Sequence, residues 1–159
     1  MVEPRPVVSN TTPLINLAGI GLLDLLPRLY GVIWIPEQVA DEFNEGAQTG
    51  DPNIKGLPWI TVITPAAIDP LVKGLGVGEA AAISLARTSH ARAVLLDEKR
   101  GRRIAEQLQL PVVGTLGVLV AAKQEGLISS VQPALQKMIA QGRRLSPNLI
   151  AHVLRAAGE

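Results

Sequence analysis

Apolar residues along this chain fall into short continuous runs separated by stretches with helical spacing. Pro6–Ser9, Val32–Ile35, Trp59–Val62, Ala93–Leu96 and Pro111–Val113 have strand length, and the unbroken apolar character of Ala93–Leu96 predicts a strand buried on both faces. Between these runs the apolar positions recur every three or four residues. That spacing predicts short helices at Pro13–Leu17 and Gly21–Leu29, then helices at Glu37–Glu45, Gly78–Arg87, Glu98–Leu108 and Leu116–Gln124. Pro36 suits the start of the Glu37 helix, and two further helices fill Ser130–Gln141 and Pro147–Ala157. Alternating strands and helices with short links predict an α/β fold, a mostly parallel central sheet covered by helices on both sides. The stretch Glu45–Pro58, rich in Gly, Pro, Asp and Asn, is expected to be the most mobile loop.

At 159 residues and 47% hydrophobic, the chain has the length of one domain spanning residues 1–159. A domain of this size buries about 70% of the surface its unfolded chain exposes. The absence of cysteine excludes a disulfide framework, a thiolate zinc site and thiol catalysis, and it suits the cytoplasm. Pro6–Leu23 is uncharged, but its Ser, Thr, Asn and Pro residues argue against a membrane span or a signal peptide. The net charge of +1 conceals an asymmetry: six basic against nine acidic residues precede Asp97, and nine against five run from Asp97 onward.

In parallel sheets, ligands bind beyond the carboxyl ends of the strands, where strand order reverses. Asn10 follows the first strand and Asp97 the Ala93–Leu96 strand, so both belong to that edge. Each has an ordinary structural explanation: Asp97 as a helix cap, Asn10 as a turn residue before Pro13. Glu42 lies at the margin of an apolar helical stripe, and Glu79 in the first turn of its helix, where a surface position and favourable interaction with the helix dipole are the plain alternatives. Taken together, carboxylates near one point repel unless a cation neutralises them. A set of oxygen donors suits Mg²⁺ or Mn²⁺ rather than zinc.

Directly after Asp97, the basic residues Lys99, Arg100, Arg102 and Arg103 are placed to meet phosphates, or else form a solvated helix face. Thr115 falls on the same edge, where its hydroxyl could orient a phosphate or serve a turn. His90 and His152 are isolated, and Gly74–Gly78 lacks the position and spacing of a dinucleotide loop. With 3% aromatic residues there is little to stack on bases, so nucleic-acid binding must rest on backbone charge.

The segments VVSNTTPLINLA, IPEQVADEF, LGVGEAAAISLA, VLLDEKRGRRIAEQL and PVVGTLGVLVAAKQEGLI, in this order, resemble PIN-domain proteins over nearly the whole chain, within a prokaryotic branch related to the toxins of VapBC toxin–antitoxin pairs. The resemblance implies a three-layer α/β/α sandwich and a nuclease whose acidic quartet holds Mg²⁺ or Mn²⁺ and cuts RNA. It places the quartet on Asn10, Glu42, Glu79 and Asp97, with Glu98 as an extra ligand. It also implies pairing as a homodimer and an antitoxin partner. The chain departs from the pattern at Asn10, where most PIN nucleases have aspartate; a neutral carbonyl there weakens metal binding while remaining an oxygen ligand. Two readings stay open, a metal-dependent ribonuclease and a PIN-like domain that binds RNA or an antitoxin without cleaving. A flavodoxin- or Rossmann-type nucleotide protein is disfavoured for want of a phosphate loop.

Overall fold

The computed structural model describes residues 5–64 and 67–159. Strands β1 (Val7–Ser9), β2 (Ile33–Pro36), β3 (Ile60–Ile63), β4 (Ala93–Leu95) and β5 (Val112–Val113) form one parallel sheet in the order β3-β2-β1-β4-β5. The chain steps outward from β1 to β3, then crosses back to β4 on the other side of β1. Strand order therefore reverses between β1 and β4, which opens a crevice at their carboxyl ends.

Eight α-helices accompany these strands among the described residues: α1 (Thr11–Gly19), α2 (Leu25–Tyr30), α3 (Glu37–Glu45), α4 (Val77–Thr88), α5 (Lys99–Gln107), α6 (Thr115–Gln124), α7 (Gln132–Ala140) and α8 (Pro147–Ala156). Consecutive residues of β1 and β4, among them Val7, Val8, Val94 and Leu95, have no exposed surface, so both faces of the sheet are covered. Helices α4 and α5 pack together over β1, β2, β4 and β5, whereas α1 and α2 pack with α6, which in turn supports α8. This is the α/β architecture that the alternating pattern predicts. None of the described helices is long and apolar enough to cross a membrane.

The first two helices differ from expectation, α2 starting at Leu25 because Gly21 adopts a left-handed turn conformation (φ 74°) ahead of it. Helix α1 begins at Thr11, before Pro13, because proline is tolerated throughout the first turn, where its missing N–H has no helical acceptor. Within the Glu45–Pro58 stretch, residues 45–50 are exposed, and the chain is anchored at Ile54, which is completely buried with its N–H donating to Asn44 Oδ1 at 3.2 Å, and at Lys55, which pairs with Asp41 at 3.1 Å.

The last helices are fixed by Glu159. Its carboxylate accepts hydrogen bonds from Ser130 Oγ (2.5 Å), the Val131 N–H (2.7 Å) and Lys123 Nζ (3.2 Å), joining α6, the start of α7 and the end of α8. These donors, led by Ser130 and Val131, hold the Glu159 carboxyl at about 2. A carboxyl depressed in the folded state contributes stability above its ordinary pKa and loses it as pH falls through the folded value. Glu159→Gln should therefore lower the melting temperature at pH 6–7, and the difference from the parent protein should vanish by about pH 2. Melting curves across that range check it; a difference that persists at low pH would count against the carboxylate contact.

Candidate functional site

The crevice is furnished by the β1–α1 turn. The Asn10 N–H donates to Leu95 O at 2.9 Å, extending the β1–β4 ladder by one residue and fixing Asn10 beside the end of β4. Three further polar residues follow it, and each holds an acid from elsewhere in the chain. Thr11 Oγ1 donates to Glu42 Oε2 (2.8 Å), Thr12 Oγ1 to Glu98 Oε1 (2.5 Å) and Asn16 Nδ2 to Asp97 Oδ2 (3.0 Å). Asn10 itself donates from Nδ2 to Glu98 Oε2 at 3.3 Å.

Glu42 is carried by α3, whose apolar residues Val39, Ala40 and Phe43 are buried and leave Glu42 half-buried at the margin. Its second oxygen accepts the Gly78 N–H at 2.7 Å, so the carboxylate lies flat on the first turn of α4. A Cβ at Gly78 would stand 2.5 Å from Glu42 Oε1, so any larger residue there would displace the carboxylate from this position. Glu79, the next residue, lies against α5 in the same manner, and a Cβ at Gly101 would stand 2.6 Å from Glu79 Oε2. That oxygen is buried without a hydrogen-bond partner. Burial, and then the Glu98 carboxylate, push the Glu79 carboxyl above its ordinary range, against the pull of the Gly76 N–H and the Arg100 guanidinium.

Asp97 does not cap the helix that follows it; Glu98 occupies the N-cap position of α5 and makes no side-chain cap bond. Asp97 instead serves the start of α6, accepting the Thr115 N–H at 2.7 Å and Thr115 Oγ1 at 2.6 Å. Thr115 is 1% exposed, so its hydroxyl orients Asp97 and does not face solvent as a phosphate donor would.

The sequence-derived set thus gathers at one sheet edge as linked pairs. Asn10 and Glu79 meet Glu98, while Glu42 and Asp97 are fastened to α1 through Thr11 and Asn16. Among the described residues, no three acid or histidine side chains stand close enough to form a metal cage from carboxylates alone. What the crevice adds is unpaired oxygen. Asn10 Oδ1, Asn16 Oδ1 and Glu79 Oε2 are all buried without partners, although Asn10 and Asn16 are only 3% and 7% exposed. Buried polar atoms without partners are rare and call for an explanation such as an ion or a water. An all-oxygen donor set with carboxylates alongside fits Mg²⁺ or Mn²⁺.

Thr11, Thr12 and Asn16 are the residues that the sequence reading passes over. Their signal is present, as polar side chains interrupting the uncharged Pro6–Leu23 run, but it served there only to exclude a membrane span.

On the far side of Asp97 an open groove of about 940 Å³ runs between α5 and α8. Lys99, Arg102 and Arg103 form one wall, Val113, Leu116 and Val120 contribute an apolar lining, and Leu149 and His152 belong to the opposite wall. Arg102 lies beside Asp97 at Gly114, where a Cβ would touch Arg102 Nη1 at 2.8 Å and Asp97 Oδ1 at 3.0 Å. Arg100 points the other way and donates to Gly74 O at 3.3 Å. Among the described residues none of the four α5 cations forms an ion pair, which leaves their charge available to an anion.

Compared with known proteins, the sequence matches the model of the family DUF3368, described as a PIN domain, over residues 6–159. No curated protein and no solved structure matches it.

Proposed function

Because the chain belongs to this PIN-domain family, we propose that it is a Mg²⁺- or Mn²⁺-dependent endoribonuclease acting at the crevice between β1 and β4. The observation that carries this reading is the pair of buried, unpartnered oxygens, Asn10 Oδ1 and Glu79 Oε2, set beside Glu98 at the point where strand order reverses. Asn10, Glu42, Glu79, Asp97 and Glu98 are the residues that would hold the cation. When bound, it lowers the pKa of water and offsets charge on the phosphoryl oxygens during in-line attack.

The remaining work falls to other residues. Thr115 and Asn16 fix the Asp97 carboxylate, and Thr11 fixes Glu42, so the acids keep their geometry without relying on the cation. Lys99, Arg102 and Arg103 hold the phosphates of a strand laid along the groove, whereas Arg100 is turned away toward Gly74 O. Partners follow from the same reading: an antitoxin segment covering the crevice in a cytoplasmic toxin–antitoxin pair, and a second copy of the chain. Of the apolar residues on the last helices, Ile139 and Leu149 are 46% and 39% exposed and available for such pairing, whereas Val153 is buried and Ile150 and Leu154 are partly buried against the core.

The second reading, a PIN-like domain that binds without cutting, is favoured by Asn10 and by the lack of a three-carboxylate cage among the described residues. Incubation of labelled single-stranded RNA with the protein in Mn²⁺ or in chelator separates the two. The nuclease reading expects cleavage in Mn²⁺ alone. Binding in either case should weaken with salt, each neutralised phosphate contributing a slope of roughly −0.7 in log affinity against log salt. Salt-sensitive binding with no cleavage in Mn²⁺ would favour the binding domain.

A further inference from the structure

Asn10 looks like a lost ligand when only its own position is considered. Its surroundings give it another role. Asn10 Nδ2 and Thr12 Oγ1 donate to the two oxygens of Glu98, at 3.3 and 2.5 Å, and between them fix that carboxylate over the β1–α1 turn. Glu98 spends no bond on capping its own helix, and its charge bears directly on Glu79. An aspartate at position 10 would set a second carboxylate against Glu98 Oε2 at hydrogen-bond distance, a like-charge contact that a cation would relieve and that solvent at the exposed Glu98 screens only in part. An amide removes the clash and supplies a donor. Its other end, Asn10 Oδ1, remains buried and unpartnered beside the acids.

We propose that the carboxylate missing at position 10 is supplied by Glu98, so that Asn10 and Glu98 together replace the single aspartate: Glu98 provides the charge and Asn10 the positioning bond and a neutral oxygen. The exchange keeps the number of acids at the crevice while moving one of them from the end of β1 to the start of α5. It rests on the metal-nuclease reading, and it makes Asn10 a positioning residue.

The test is a double-mutant cycle read by calorimetric Mn²⁺ titration of the full chain and by melting in chelator. Glu98→Gln should weaken Mn²⁺ binding by at least about tenfold, the scale of one charged contact. Asn10→Asp should lower the melting temperature in chelator, and Mn²⁺ should restore it. The double variant Asn10→Asp with Glu98→Gln returns the charge to β1 and reverses the hydrogen bond, so it should bind Mn²⁺ within about threefold of the parent protein and melt higher in chelator than Asn10→Asp alone. Mn²⁺ affinity unchanged in Glu98→Gln but reduced in Glu79→Gln would overturn the exchange and leave the metal site standing. A double variant no better than Glu98→Gln would overturn it equally. A parent protein that binds no Mn²⁺ would remove both this proposal and the reading beneath it.

Discussion

Glu79→Gln is expected to reduce RNA cleavage by roughly 10³-fold or more while slightly raising the melting temperature of the protein in chelator. The loss follows from removing a carboxylate that would help hold the cation, whose stabilisation of phosphoryl charge is worth several kcal/mol, about 1.4 kcal/mol for each tenfold in rate. The gain in stability follows from the same atoms. Glu79 Oε2 is buried without a partner and the Glu98 carboxylate repels it, so the ionised side chain is a burden on the fold when no cation is present. The rise should be only about 1–2 °C, because part of the side chain remains exposed and solvent screens the repulsion. Cleavage and melting of the one variant check both parts. Normal cleavage would show that Glu79 does not hold the cation, and melting well below the parent in chelator would show that its carboxylate supports the fold.

Asp97→Ala should fail in the opposite manner, through the fold. Its carboxylate takes three hydrogen bonds, from the Thr115 N–H at 2.7 Å, Thr115 Oγ1 at 2.6 Å and Asn16 Nδ2 at 3.0 Å. Truncation leaves the first N–H of α6 uncapped and a buried amide unpaired, since Asn16 keeps only a 3.3 Å contact to Thr115 Oγ1. Charge-assisted hydrogen bonds contribute roughly 1.5–3 kcal/mol each but do not add, so the expected loss is about 3–4 kcal/mol. At 2–4 °C per kcal/mol for a chain of this size, the melting temperature should fall by about 10 °C. Denaturant unfolding of Asp97→Ala beside the parent measures it; a loss below about 1 kcal/mol would contradict the anchoring role. Inactivity of an Asp97 variant is consequently weaker evidence for metal ligation than inactivity of a Glu79 variant.

The strands were legible because each is a short apolar run with a polar or proline boundary. Ala93–Leu96 in particular could only be a strand buried on both faces, and β4 with Leu96 beside it has that burial. Placing Asn10 and Asp97 on one edge needed nothing beyond alternating β and α elements, since parallel strands put their carboxyl ends together. The bonds made at that edge were out of reach. Asn16 and Asp97 are 81 positions apart, and Thr12 and Glu98 are 86 apart, with nothing local to either residue announcing the partner. Asp97 shows the limit most clearly. Local sequence offered the helix beginning at Glu98 as the one to cap, but the fold brings the start of α6 against Asp97 through the β4–β5 pairing. Asn10 in isolation is a deficit for the same reason, because its hydrogen bond to Glu98 exists only once β1 and β4 lie side by side.

The central claim is that the oxygens at this edge form a cation site, and calorimetric titration of the parent protein with Mn²⁺, beside Glu79→Gln, tests it most directly. A single binding event in the parent, weakened at least about tenfold in Glu79→Gln, is the predicted result. No heat of binding in the parent, or equal affinity in both proteins, would contradict it.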